Sequence, residues 1–462
     1  MKKPRNSGGC RRASPSALDE CFHPNRTGKA KIVLVGMVAF LSAVGFIILM
    51  MLQGTPQDTR VSRPSTQPDP HDADIPVTVK ELEQETFAVA RRLLEYFPMN
   101  PDALNLMANV QNQYDHTTEA VKFWRYSIQL APQRVNARRG LAMIAMKKGD
   151  YEAAAEIWEW IRKRNPRLPD ANGRYGQALL EMGKPAEALT ALQEEVRISP
   201  GNGEYQFLLG RAHLQLHEYP EAVKYYEKAL EIEPRNSKAC YGLSVSYSRS
   251  GQPDKAKRMR DKLKSIRAEE DTAVSQRRKN DFNRDWAIQT LTRTLTGAGV
   301  VYNRNGVPQK AENCWRQAAA LDEKSKACRH ALADLHTQQG RLPEAIEICE
   351  QLQRIDPKVA DYRLRAGTLY ARLKQWAPAE KTLRKAIAIT PQESTGYRIL
   401  IQVLMAANQK LPEAKALAQR LVELHPNAQN YLLLGKVSEK IGDTVGALAA
   451  GRRAAEFNST RK

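Results

Sequence analysis

A proline recurs at one fixed spacing in this chain, at Pro98, Pro132, Pro166, Pro200 and Pro234, and again at Pro357 and Pro391. A second ladder keeps the same spacing through Ala120, Ala154, Ala188, Ala222 and Ala256, then Ala311, Ala345 and Ala379. A fixed period of about 34 residues specifies stacked copies of one supersecondary unit, each burying its apolar face on its neighbours, rather than one globular core. It also moves the functional question from catalysis to surface.

Residues 203–236 show what repeats: GEYQFLLGRAHLQLHEYPEAVKYYEKALEIEPRN. Small residues at Gly210, Ala222 and Ala229 let two helix backbones approach, Tyr226 fills the gap between them, and Pro234 ends the second helix. With the Leu209-Gly210 pair, this unit resembles the tetratricopeptide repeat. The resemblance implies an all-α fold, a right-handed α-solenoid of helix-turn-helix units. In this register repeats occupy 101–134, 135–168, 169–202, 203–236 and 237–270, then 292–325, 326–359, 360–393, 394–428 and 429–462. A helix over about 79–97 resembles the second half of a repeat and is expected to cover an exposed end of the stack, giving a first block of 77–270. The step from Ala379 to Ala414 is one longer than the period and the step from Ala414 to Ala447 one shorter, which places one extra residue near Gln409-Lys410. From Ala256 to Ala311 the interval is far longer than one period, and the excess falls on 271–291. That stretch holds no Gly or Pro and predicts helix extension ahead of a second block over 292–462.

The segment Ile32 to Leu52 runs without a charge. As a helix it spans about 32 Å, enough for a hydrocarbon core of about 30 Å. It is longer than a signal-peptide apolar core, and no small-x-small cleavage site follows it. It therefore predicts one transmembrane signal-anchor helix. The basic tail 1–31, read as disordered, carries eight Lys and Arg against Asp19 and Glu20. The flank up to Pro76 carries Arg60 and Arg63 among four Asp. Positive residues stay cytoplasmic, so the N-terminus is expected inside and the repeats on the extracytoplasmic, periplasmic side. Between anchor and repeats, 53–76 reads as a Pro/Ser/Asp-rich linker reaching roughly 25–30 Å as a random coil.

Catalytic signatures are missing: the chain has no phosphate-binding loop, HExxH, nucleophile elbow or dinucleotide-binding glycine pattern. The reading is non-enzymatic, with no cofactor and no metal. His213 and His217, four apart on one predicted helix, have no third ligand at supporting spacing, and His213 occupies a packing position. The six cysteines form no CxxC. Cys10 and Cys21 precede the membrane span, and Cys314 and Cys328 are the pair to test for a disulfide, against the alternative of buried thiols.

In tetratricopeptide arrays the first helix of each unit lines a concave groove that holds peptides. At the corresponding positions here stand Asn105, Asn109 and Asn112, followed by Arg139, Lys147, Arg211, Lys238, Arg249, Arg293, Arg304, Arg372 and Arg398. Arginine suits carboxylate recognition through paired, charge-assisted hydrogen bonds. The family's two-carboxylate clamp needs Lys and Asn in a set order, and Arg139 and Met143 depart from it. The formal charge of +20, from 71 basic and 51 acidic residues, favours an acidic partner. Seven cations between Lys255 and Arg267 invite a nucleic-acid reading, but they lack interleaved aromatics, and a solvated helix face accounts for them. The expected function is a membrane-tethered scaffold or adaptor for proteins or peptides, serving assembly of an envelope or secretion complex. A self-associating structural protein, or a cytoplasm-facing adaptor presenting clients to a protease or synthase, are the alternatives.

Overall fold

The computed structural model describes residues 78–277 and 281–459. These form 21 helices and no strand. The predicted tail, membrane span and linker lie outside the described residues. Among the described residues no helix is long and apolar enough to cross a membrane.

By packing, the helices fall into two units. The first contains α3 (Thr117–Leu130), α4 (Val135–Lys148), α5 (Tyr151–Arg164), α6 (Ala171–Glu181), α7 (Pro185–Ile198), α8 (Gly203–Gln215), α9 (Tyr219–Ile232), α10 (Ser237–Arg249) and α11 (Pro253–Arg277). The second contains α1 (Val79–Tyr96), α2 (Pro101–Gln113) and α12 (Asp281–Arg304), then α13 (Pro308–Leu321), α14 (Lys326–Gln338), α15 (Leu342–Ile355), α16 (Ala360–Arg372), α17 (Trp376–Ile389), α18 (Ser394–Ala407), α19 (Leu411–Leu424), α20 (Ala428–Ile441) and α21 (Thr444–Ser459).

In each unit, helices consecutive in sequence pack on one another, as a solenoid requires. The exception is the N-terminal pair. Sequence order places the helix of 79–97 and the repeat 101–134 at the head of the first block; instead α1 and α2 pack on α12 in the second unit. The physical reason lies in the excess at 271–291. It extends α11 and α12 and supplies no second helix to cover α12, and the amphipathic α1 fills that place with Leu82, Val89, Ala90, Leu93 and Leu94 buried. Tyr96 and Phe97 meet Tyr302 of α12, with ring centroids 5.7 Å apart in both pairs.

Local chemistry sets the helix ends. Asn100, Asn202, Asn236 and Asn427 cap first helices by accepting backbone N–H groups. The start of α6 differs, because Asp170 is left-handed at φ 72° and gives no cap. There Glu195, from α7, accepts the N–H groups of Asp170 and Gly173 at 2.9 and 3.1 Å and does the capping from a distance.

A third ladder emerges in the turn between the two helices of each repeat. The left-handed residue there is Asp115, Gly149, Gly183, His217 and Gly251, then Gly306, Gly340, Lys374, Asn408 and Gly442. The extra residue near Gln409-Lys410 is visible as a second left-handed residue, Lys410 at φ 51°. The same ladder corrects the reading of the histidines. Helix α8 ends at Gln215, so His217 sits in the turn at φ 61° and shares no helix face with His213.

The core is a string of clusters rather than one centre. In the first unit these gather around Trp158, Leu192 and Tyr226, and in the second around Cys349 and Leu383. Cys240, Cys314, Cys328 and Cys349 are free thiols, so Cys314 and Cys328 are not bonded to each other.

Candidate ligand-binding surfaces

Consecutive first helices bring the predicted basic side chains near carboxylates one repeat away. Arg211 donates two hydrogen bonds to Glu181, at 2.6 and 2.8 Å, and holds that carboxyl below its ordinary range. On the same two helices Arg174 grips Glu204 at 3.0 and 3.3 Å. These crossed pairs tie α6 to α8 and take Arg211 out of a free basic surface. Lys147 pairs with Asp115 at 3.0 Å. In the second unit Arg304 lies 3.8 Å from Asp102, and Arg365 pairs with Asp334 at 2.6 Å.

Other predicted residues keep their charge unmatched. Arg139 is half-buried, and Lys238, Arg249 and Arg372 are exposed. None of the four has a carboxylate at ion-pair distance among the described residues. Arg293 donates only to the carbonyl of Gln289, and Arg398 only to the Ser394 hydroxyl. Asn105, Asn109 and Asn112 stand on α2 in the second unit, whereas Arg139 belongs to the first. Within Asn105 the side-chain carbonyl is buried without a donor.

His213 is buried, its Nδ1 2.6 Å from Glu218 and its ring stacked on Tyr225 at 5.1 Å. That is a packing role. Among the described residues no group of His, Cys, Asp and Glu is placed to hold a metal. The cations from Lys255 to Arg267 are all exposed and surround a narrow buried stripe of Ala256, Leu263 and Ile266.

Reasoning confined to first helices misses a groove on the second helices. It is an open cavity of about 770 Å³ lined by Glu350 and Arg354 of α15, Arg363 and Tyr370 of α16, and Pro378, Lys381 and Lys385 of α17, among others. The signal in sequence is the Lys381–Lys385 spacing, which puts both on one helix face.

Fold and surface together define a helical-repeat protein with ligand-sized grooves and unmatched cations. Profiles described as tetratricopeptide repeat match residues 139–203, 203–236, 225–258, 304–373 and 401–461. The chain belongs to the tetratricopeptide repeat family. It is 23% identical over 368 residues to human Protein O-mannosyl-transferase TMTC3, a match covering 73% of this chain and 38% of that protein. It is 27% identical over 201 residues to cellulose synthase operon protein C of Pseudomonas fluorescens, covering 44% of this chain and 15% of that one. The chain thus spans well under half the length of these two relatives. Among solved structures, MamA from Desulfovibrio magneticus RS-1 aligns with 37% of this chain and 97% of its own, at 18% identity and a TM-score of 0.35.

Proposed function

We propose that this chain is a non-enzymatic scaffold or adaptor, tethered to a membrane through 32–52, whose repeats hold acidic proteins or peptides on the extracytoplasmic side. The observation that carries the reading is the set of first-helix cations left without carboxylates, Arg249 in the first unit and Arg293 and Arg372 in the second. A protein surface that keeps guanidinium groups solvated and unmatched is set up to exchange water for a partner's carboxylates. Tetratricopeptide repeats commonly mediate protein–protein interactions, and the work proposed for this scaffold is assembly of an envelope or secretion complex. The mannosyl transfer named for TMTC3 belongs to that protein, most of which lies outside the match.

Cross-linked pull-down of the membrane-embedded full chain tests the reading. Partners captured by the unaltered chain are expected to fall at least about fivefold with Arg249→Glu and Arg293→Glu together, because each reversal replaces attraction by like-charge repulsion. An unchanged partner set would remove the first-helix surface from the proposal. One observation favours self-association instead: Val445 and Leu448 of α21 are 77% and 66% exposed, and Leu432 of α20 is exposed as well. Recovery of the chain alone, cross-linked to itself, would favour that reading. A reporter that works only outside the cytoplasm, fused after Lys462, is expected to be active, and its silence would place the repeats on the cytoplasmic side.

A further inference from the structure

The groove between α15 and α17 gathers several cations that lack carboxylate partners. Five other cations of the second unit find carboxylates: Lys326 with Asp356, Arg365 with Asp334, Lys410 with Glu380, Arg384 with Glu413, and Lys415 with Asp443. In the groove four cations, Arg354, Arg363, Lys381 and Lys385, face a single carboxylate, Glu350. That carboxylate is already engaged, accepting the Tyr370 hydroxyl at 2.9 Å. Arg363 is held in place by donating to the carbonyl of Pro357 at 2.7 Å. Arg354, Lys381 and Lys385 are exposed and have no acidic partner among the described residues. The C-terminal ends of α15 and α17 each contribute about half a negative charge, which lowers the surplus of three positive charges to about two without reversing it.

We propose that this groove binds an extended acidic peptide segment of a partner protein, as a second site separate from the first-helix surface. Three features select that ligand class. The cations are spread over three successive helices, Arg354 on α15, Arg363 on α16, and Lys381 and Lys385 on α17, rather than gathered on one helix end as in a site for a compact anion. Lys381 and Lys385, one helical turn apart, have Cβ atoms about 6 Å from each other. Alternate side chains of an extended chain recur at about 6.8 Å, so acidic residues at every second position meet both lysines. Finally, Tyr370, Ala377 and Pro378 add apolar surface to the lining, which suits the aliphatic stems and intervening residues of a peptide. The volume lies within the usual range for ligand clefts.

The probe is a fluorescein-labelled peptide of alternating Glu and Ser with one central Leu, titrated onto the detergent-solubilised full chain and read by fluorescence anisotropy. Binding is expected to weaken about tenfold in the Lys381→Glu/Lys385→Glu variant and to remain unchanged in Lys257→Glu/Lys264→Glu, which reverses two exposed charges on the solvated face of α11. Raising ionic strength from about 0.05 M to 0.3 M should weaken it severalfold, since the contributing charges are exposed. A milder pair, Lys381→Gln/Lys385→Gln, with helicity checked by circular dichroism, guards against loss of fold. Equal binding by the groove-lysine variants, or equal loss in the α11 variant, would overturn the site. Displacement of the peptide by equimolar inorganic phosphate would overturn the ligand class. Because the lysines and the first-helix arginines are altered separately, failure here leaves the first-helix proposal standing, and the reverse holds.

Discussion

Gly242→Val is expected to cost the first unit about 3 kcal/mol or more and to open the helices around 203–270 in advance of the rest. The argument rests on where Tyr226 lies. Its side chain is 1% exposed, between α8 and α10. A Cβ on Gly210 would come 2.8 Å from its ring, and one on Gly242 would come 2.3 Å from Cζ and 2.6 Å from the hydroxyl. The ring cannot yield toward Gly210 and has no route to solvent, so an added side chain must either move a helix or expel the tyrosine. Overpacking alone costs about 1–3 kcal/mol, and losing a buried aromatic costs about 3–5 kcal/mol. A neighbouring repeat shows how the conflict is relieved. At the equivalent of Tyr226, one period earlier, stands Leu192, which packs with Leu208 where Tyr226 meets Gly242. A smaller filler tolerates a larger opposing residue. Tyr226→Leu combined with Gly242→Ala should therefore recover about 1–2 kcal/mol relative to the sum of the single changes. Urea denaturation with hydrogen exchange over 203–270 measures both quantities. Full tolerance of Gly242→Val would mean that Tyr226 is not the pinned element.

This packing was readable in advance because it is local and periodic: Gly210, Ala222, Tyr226 and Pro234 each carry their reason within a single repeat. The turn ladder was half readable. Six of its ten left-handed positions are Gly, but Asp115, His217, Lys374 and Asn408 occupy the others, and such residues do not announce a positive φ. His217 thereby passed for a helix residue. The ion pairs were not readable at all from first helices alone. Arg211 and Glu181 are 30 residues apart, as are Arg174 and Glu204, a separation that has meaning only once two helices of fixed length intervene. The same holds for Arg329, whose buried guanidinium donates to the carbonyls of Ala319, Asp322 and Ser325 and so closes the end of α13. The placement of α1 and α2 escaped for a different reason. Chain order suggested the nearer block, whereas α1 and α2 pack on α12, which lies far downstream of Tyr96 in the sequence.

The second large effect is expected at Glu312, where four ionisable groups join the repeats 292–325 and 326–359. Its side chain is 3% exposed and sits 2.6 Å from Arg316, 2.7 Å from Arg341 and 3.3 Å from Nε2 of His336. Burial alone would raise the carboxyl, but the hydrogen bond from Arg341 and the charges of Arg316 and Arg341 outweigh it and hold the group below its ordinary value. Burial, reinforced by Arg341, pushes His336 below its ordinary value against the attraction of Glu312. Both shifts act in the same direction on stability. A depressed carboxyl stabilises the fold above its unfolded value of 4.5 and loses that contribution as pH falls through the folded one. A depressed imidazole favours the neutral form, so acid begins to destabilise the fold once pH drops below the unfolded value of 6.5. The second unit should therefore lose stability in two stages, first below about pH 6.5 and again below about pH 4.5. Glu312→Ala is expected to cost about 3 kcal/mol at neutral pH, at the lower end of what breaking a buried pair costs, because Arg316 and Arg341 can turn toward water. Glu312→Gln should flatten the lower stage, and His336→Gln the upper one. Thermal unfolding from pH 8 to pH 3, followed by hydrogen exchange over 308–345, separates the stages. If Glu312→Gln kept the full acid slope below pH 4.5, the carboxylate would not be the group that joins these repeats.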